Sequence, residues 1–394
     1  ITQIKMAITE ELCSTIWNRH INDIKENGIQ QYTDDVTFQD FKEVLDSLNT
    51  FTTIDRIFKT NKNKSWKKIY VNIMELFKEH SYKKIVISIS GGVDSMILSF
   101  ILSNYCKFHN IELIMLHLNY NNRPTCDKEI KFLLWWSKQI DCNLYVKSFD
   151  ITRSRNSKER ALYENLTRRI RYSVYDYFKA PIFLGHNMDD CYENVFSNLS
   201  KRIHFDNLYG MSKYAVESNI PIIRPMLDIS KKEILDISHT VGIPYLEDST
   251  PGWSNRGKMR DILIPQIIEF NPQILPGISD FITYTSNLEK HWNKLFYKWI
   301  KTNIEKEKKE TFTKLIISKR DDFYIDNFQD NHFWIKIWFE YDLVTRPSNK
   351  SFNSMINLLK SQREKVTFEL NAVSKMYNVD KETLTLTVYN NLCD

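Results

Sequence analysis

The sequence predicts an α/β protein with a doubly wound parallel sheet, an N-terminal helical extension, and a mainly helical C-terminal domain that ends in short strands. Three observations predict it. Between residues 84 and 248, short apolar runs alternate with longer stretches of helical period. One of these runs passes into a helix through Ser90-Gly91-Gly92-Val93-Asp94-Ser95, where two adjacent glycines permit a sharp turn. The polar motifs fall just after predicted strands, where ligands bind in such sheets.

In chain order, residues 1–65 form the extension. Thr37 and Asp40 open an expected helix whose face carries Phe38, Phe41, Leu45 and Leu48, and the polar stretch Asn61 to Lys64 reads as a linker. This extension is expected to be a docking or packing element, with a homodimer or protein partner as its occupant. The central domain is placed at 66–275, with strands at Lys84 to Ser90, Ile111 to Asn119, Asn143 to Asp150, Pro181 to Asn187 and Ile220 to Leu227. Helices are expected at 94–108, 126–141, 158–179, 189–200 and 230–241. The C-terminal domain, 276–394, starts where Pro276 and Gly277 punctuate the chain. It continues with an aromatic-rich amphipathic stretch, Phe281 to Ile304, and from Lys365 on alternates apolar and polar residues as strands do.

A chain of 394 residues is long enough for two or three domains, and its 42% hydrophobic content suffices to build their cores. No window approaches 18 uninterrupted apolar residues, so no membrane span is expected. Glu10 and Glu11 near the start argue against a secretory signal. A cytoplasmic location is therefore expected, with an organelle or a virus-infected cell as open alternatives. The six cysteines show neither a CxxC pair nor metal-ligand spacing, so reduced buried thiols are expected, with Cys191 notable beside an acidic motif. Net charge is only +5, yet seven basic residues between Arg153 and Arg171 meet only two acids, Glu159 and Glu164. With a second cluster at Arg256, Lys258 and Arg260, this run favours a polyanionic ligand such as RNA over a merely solvated helix face.

The Ser90–Ser95 turn reads as a phosphate site. The first N–H groups of a helix lack intrahelical partners and point outward, the glycines allow close approach, and Ser90 and Ser95 add hydroxyls. Asp94 would repel bare phosphate, and its presence fits a ligand, direct or through water, of a Mg²⁺ that bridges phosphates. The loop lacks the lysine a Walker loop places before its final Ser. It resembles the pyrophosphate loop of the N-type ATP pyrophosphatases, which adenylate a carbonyl oxygen and release pyrophosphate.

Four further segments resemble, in order, one branch of that superfamily, the tRNA(Ile)-lysidine synthetases. His117 to Arg123 matches a His-x-x-His-x-x-Arg pattern with Tyr120 in place of the second histidine. Glu164, Arg168, Arg171 and Tyr172 match a Glu-x-x-x-Arg-x-x-Arg-Tyr helix, in which Glu164 and Arg168 could equally form a plain i,i+4 ion pair. Gly185 to Asn194 is close to Ala-His-His-x-Asp-Asp-x-x-Glu-Thr, with Asn187 where the second histidine stands. Arg224-Pro225-Met226-Leu227, Ser230 to Ile234, Glu247 to Thr250 and Asn255 to Arg260 complete the series. The likeness covers residues 70–270 and continues more weakly through Arg346-Pro347-Ser348.

The resemblance implies an enzyme that uses ATP and Mg²⁺ to adenylate the wobble cytidine of an isoleucine tRNA and joins free lysine to it. On this reading Ser90, Gly91, Gly92, Val93, Asp94, Ser95, His117 and His186 bind ATP, and Asp94 and Asp190 hold the metal. Asp94, Asp190, Glu193, Arg168, Arg171 and Arg256 serve catalysis, while Arg123, Arg168, Arg169, Arg171, Arg256, Lys258 and Arg260 bind tRNA. For Asp189, a helix-dipole partner is an alternative role. The alternatives are tRNA thiolation by the same adenylation, for which Cys191 is the one candidate, and a non-catalytic RNA-binding subunit that keeps the fold.

Overall fold

The computed structural model describes residues 8–44, 64–121, 124–149, 157–200, 210–246 and 254–389. The chain divides into two units, Ile1–Asn194 with Met211–Ile274, and Val195–Gly210 with Leu275–Asp394.

In the first unit the helices are α1 (Glu10–Asn27), α2 (Lys64–Glu79), α3 (Val93–His109), α4 (Cys126–Gln139), α5 (Ser157–Tyr177), α6 (Met188–Ser200, of which the first two turns belong here) and α7 (Lys231–Val241). The short α8 (Asn255–Lys258) and α9 (Ile264–Phe270) flank a π-helical turn at Met259–Leu263. The strands are β1 (Lys84–Ser88), β2 (Glu112–Asn119), β3 (Asn143–Ser148), β4 (Ile182–Phe183), β5 (Tyr214–Glu217) and β6 (Ile220–Ile223), in the order β3-β2-β1-β4-β6-β5. All neighbours are parallel except β5 and β6. The antiparallel edge strand β5 was not expected; it joins β6 through Ser218 and Asn219, both in the left-handed region as a two-residue hairpin turn requires.

Alternation along β1 covers the sheet on both faces. Ile85, Ile87 and Ile89 pack into one core with Ile69 and Ile73 of α2, Met96 and Phe100 of α3, and Ile234 and Ile237 of α7. Val86 points into the other, with Leu166, Ile170 and Val174 of α5. The same core holds Cys13 and Ile29 of the N-terminal segment, and Arg169 of α5 lies 4.3 Å from the ring centroid of Trp17. The expected extension therefore packs on its own chain through α1. The helix expected after Thr37 is a short 3-10 turn, Phe38–Asp40, in which the Asp40 carboxylate accepts from Thr37 N at 2.8 Å. Leu45 and Leu48 lie outside the described residues.

One consequence of α1 packing is a pH dependence. His20 is buried with Nε2 2.7 Å from Ser173 Oγ, and burial lowers its pKa to about 4; the Lys147 ammonium acts in the same sense and Asp23 opposes. An unfolded chain takes up this proton near the ordinary value, so stability is lost as pH falls from 6.5 toward 4, by up to about 3 kcal/mol. Urea unfolding of His20→Gln is expected to show a flatter stability curve in this window. A slope equal to the wild type would remove His20 as its source.

The second unit holds α10 (Ile274–Asn303), α11 (Asp322–Asn327), α12 (Asn331–Glu340) and α13 (Asn349–Lys360) with a five-stranded antiparallel sheet. Its strands, β7 (Ile304–Lys308), β8 (Phe312–Ser318), β9 (Val366–Asn371), β10 (Ser374–Asn378) and β11 (Thr383–Tyr389), are ordered β7-β8-β11-β10-β9. The terminal strands match the alternation read in the sequence; β7 and β8 were not anticipated. Pro276 does not interrupt the chain, because it sits in the first turn of α10, where no intrahelical N–H is needed. An aromatic core of Phe296, Trp299, Phe333, Trp334 and Trp338 joins helices to sheet.

Among the described residues, no helix is long and apolar enough to cross a membrane.

Candidate active site

The site lies at the carboxyl end of the parallel strands. The chain leaves β1, turns at Gly91 with φ +85°, and enters α3 with Gly92 as an extended N-cap. The N–H groups of Val93, Asp94 and Ser95 head the helix without intrahelical acceptors, as an anion requires. Ser95 is not the outward donor expected of it: its hydroxyl donates to Gly92 O at 3.0 Å and accepts from Ser90 N at 3.2 Å, bracing the loop. Ser90 is the exposed hydroxyl.

Space in the loop is tight on one side and open on the other. A Cβ on Gly91 would lie 2.3 Å from Leu246 Cδ1, whereas one on Gly92 would meet only Ser90 Oγ at 3.5 Å. Gly91→Ala is therefore expected to cost about 2 kcal/mol in urea unfolding and Gly92→Ala under about 1 kcal/mol. Equal losses would contradict this description of the turn. Behind the loop, a Cβ on Gly185 would approach backbone atoms of Asp94 and Ser95 to 3.0 Å, so glycine lets the segment after β4 press against the start of α3.

That segment carries Asn187, the replacement for the expected histidine. Its Nδ2 donates to Asp94 Oδ1 at 2.8 Å, its N donates to Asp190 Oδ2 at 3.0 Å, and its Oδ1 accepts from Asp190 N at 3.1 Å. Asparagine thus caps α6 and ties that helix to the loop. The other oxygen of Asp94 meets Lys231 Nζ at 2.5 Å. Lys231 begins α7, and its own N–H donates to Asp189 Oδ2 at 2.7 Å. Asp189 accordingly serves a helix N-terminus, though that of α7 as well as its own.

Glu193 is 2% exposed and faces two guanidiniums: Arg256 Nε lies 3.0 Å from Oε2 and Arg260 Nη2 lies 2.9 Å from Oε1. Burial pushes its carboxyl up, against the two arginines. Asp190 Oδ1 faces Arg256 Nη2 at 3.4 Å. Asp190 and Glu193 therefore share one face of α6 as expected, but that face grips arginines.

A third group surrounds Glu217. Arg168 Nη2 and Arg224 Nη2 reach its carboxylate at 2.9 Å and 2.6 Å, and Tyr172 OH donates to it. Glu164 pairs with Arg160 at 2.8 Å and Arg168 with Glu217, in place of the alternative i,i+4 pair between Glu164 and Arg168. Arg224 Nε donates to His186 Nδ1 at 3.2 Å, and burial lowers the His186 pKa to about 4. His186 is thus neutral with its proton on Nε2. His117 carries a proton on Nδ1, since that atom lies 2.9 Å from the Ile89 carbonyl, which can only accept. Arg171 Nε donates to Tyr120 OH at 3.3 Å, Arg169 is turned toward Trp17, and Lys258 is exposed on α8. Arg123, Arg153, Arg155 and the Glu247 to Thr250 segment lie outside the described residues.

Lys231 and Glu217 were missed as site residues. Lys231 lies within the Ser230 to Ile234 segment, and two adjacent lysines at a helix start signal only solvation. Glu217 lies on an edge strand with no motif of its own.

Among the described residues, no three His, Cys, Asp or Glu side chains converge on a point that could hold a metal. Asp94 still fits Mg²⁺, which keeps most of its shell as water and phosphate oxygens and takes one or two carboxylates. Each Asp94 oxygen has one hydrogen-bond partner and so retains acceptor capacity. Asp190 fits less well, with one oxygen in the cap and the other toward Arg256.

A doubly wound sheet with an anion-binding helix start at its switch region defines a nucleotide- or phosphate-binding α/β domain. Residues 65–267 match the PP-loop domain family, and the chain belongs to it. It is 30% identical over 194 residues to the tRNA(Ile)-lysidine synthase of Chlamydia muridarum, covering 48% of this chain and 58% of that protein. To the tRNA(Ile)-lysidine synthase of Streptococcus sanguinis it is 28% identical over 218 residues, covering 55% of this chain and 48% of that one. The chain thus spans about half the length of the curated relatives it matches. Among solved structures, the U34-tRNA thiolase NcsA from Methanococcus maripaludis aligns over 58% of this chain and 81% of that one, with 18% identity and a TM-score of 0.48, too low to bear on the assignment.

Proposed function

We propose that the protein is an ATP-dependent tRNA-modifying ligase that adenylates the wobble cytidine of an isoleucine tRNA and joins lysine to it, releasing AMP and pyrophosphate. The observation that carries this is the junction Ser90–Ser95, where an unpaired helix start, a carboxylate and the Lys231 ammonium meet in one crevice. The lysidine synthase relatives direct it to tRNA.

The helix start of α3 and Ser90 bind the β- and γ-phosphates, with Asp94 as the protein ligand of Mg²⁺. When bound, the metal supplies positive charge that stabilises the leaving pyrophosphate. Lys231, paired with Asp94 at rest, turns to a phosphate oxygen when the triphosphate arrives. The carbonyl oxygen on carbon 2 of cytosine attacks the α-phosphorus and the bond to the β-phosphate breaks. Arg168, Arg171 and Arg256 stabilise charge there or bind tRNA phosphates, and neutral His186 offers its Nε2 proton. The lysine ε-amine, uncharged at attack, then adds at carbon 2 and AMP leaves. Asp190 Oδ1, whose contact with Arg256 is the looser one, takes the amine proton. Glu193 orients Arg256 and Arg260. Arg169, Lys258 and Arg260 add positive charge for the tRNA.

Thiolation is disfavoured by Cys191. It is buried, and burial pushes its thiol up to about 12, so it carries no nucleophilic thiolate at neutral pH. A scaffold role is disfavoured because a subunit without catalysis has no need of a metal-phosphate loop. Incubation with tRNA, ATP and lysine followed by nucleoside mass spectrometry separates the three: a lysine-bearing cytidine supports the proposal, a thiolated base or an unchanged tRNA defeats it.

A further inference from the structure

The Glu217 cluster has a role beyond charge balance. Arg224 is 6% exposed, and its side chain has three acceptors: Glu217 Oε1, the Ser212 carbonyl at 3.4 Å, and His186 Nδ1. Only the first is charged. The contact with Glu217, 2.6 Å, is also the shortest of the three, so this carboxylate sets where the guanidinium lies. Its own position is fixed twice. The hairpin turn at Ser218 and Asn219 pairs Glu217 with Ile220, and Tyr172 OH with Arg168 holds Oε2 from α5. Burial alone would raise the Glu217 carboxyl, but Tyr172, Arg224 and Arg168 keep it below its ordinary value, so it is ionised.

A guanidinium can only donate. With Arg224 Nε directed at Nδ1, the one proton of neutral His186 must reside on Nε2. We infer that Glu217 is a positioning residue: through Arg224 it fixes His186 as an Nε2–H donor, and through its other oxygen it holds Arg168 on the same side of the site. This rests on the proposed adenylation for its purpose, but the tautomer itself can be read without turnover.

The test uses the full chain labelled with ¹⁵N-histidine, the His186 signals being assigned by their loss in His186→Asn. Long-range ¹H–¹⁵N spectra at neutral pH are expected to show Nε2–H in the wild type and in Glu217→Asp, which keeps the charge. Glu217→Gln, of equal size, is expected to show a mixture with Nδ1–H. In single-turnover pyrophosphate release with ATP and tRNA, Glu217→Gln is expected to lose about ten-fold in maximal rate with little change in tRNA affinity, and Glu217→Asp to retain most of it. A His186 that stays wholly Nε2–H in Glu217→Gln, or equal effects of Asp and Gln on tautomer and rate, overturns the assignment. A wild type that releases no pyrophosphate while the tautomer still responds to Glu217→Gln would defeat the adenylation proposal and leave the positioning role standing.

Discussion

Asp94→Ala is expected to slow ATP-dependent pyrophosphate release by about three orders of magnitude, roughly 4 kcal/mol of transition-state stabilisation. The reason is local. Asp94 is the carboxylate at the head of α3, held by Asn187 on one oxygen and Lys231 on the other, and the fit of Mg²⁺ to the loop rests on it. Both Asp94 and Lys231 side chains are partly exposed, so loss of the pair should change stability by no more than about 1 kcal/mol. Its removal also takes a negative charge from the phosphate site and frees Lys231. Affinity for ATP in the presence of a chelator is therefore expected to hold or rise while turnover collapses. Calorimetric titration of ATP with and without Mg²⁺, beside single-turnover rates, reads both. Wild-type turnover in Asp94→Ala, or loss of metal-free ATP affinity equal to the loss of rate, would remove Asp94 from its assigned role.

Glu193→Ala should have the largest effect on stability at the site, about 3 kcal/mol in urea unfolding. The carboxylate is buried and holds two guanidiniums; without it Arg256 and Arg260 face each other with no shared counter-charge. Because these arginines are themselves partly exposed, the loss falls at the lower end for a broken buried pair. Glu193→Gln keeps the volume and is expected to recover part of the stability while remaining impaired in modification. Its effect on tRNA affinity should be smaller than its effect on the rate, since a carboxylate does not itself attract an RNA backbone. If either variant chiefly weakened tRNA binding and left single-turnover rates intact, the catalytic role of the arginines that Glu193 orients would be wrong.

Much of this site was legible in the sequence because its chemistry is local. Ser90 to Ser95 reads as a phosphate turn from six consecutive residues, and the spacing of Asp190 and Glu193 places both on one helical face. What the spacing does not contain is what that face meets. The partners of Asp190 and Glu193 arrive from Arg256 and Arg260, more than sixty residues on, so two carboxylates read as metal or amine ligands are engaged by guanidiniums. The same limit explains Glu164, whose i,i+4 neighbours on either side are arginines; Arg168 is drawn away by Glu217 on β5, and Arg160 takes its place. β5 itself is four residues with no alternating pattern, visible only once β6 offers it an edge. Pro276 and Gly277 suggested a break because both disfavour helix interiors, yet the first turn tolerates proline.

The central claim is that the Ser90–Ser95 loop serves cleavage between the α- and β-phosphates, driven by a nucleophile on tRNA. Phosphorus NMR of a reaction holding the protein, ATP, Mg²⁺, isoleucine tRNA and lysine tests it most directly. The account predicts AMP and pyrophosphate, formed in equal amounts with the modified nucleoside and absent without tRNA. ADP with inorganic phosphate, or pyrophosphate formed at the same rate without tRNA, would contradict it.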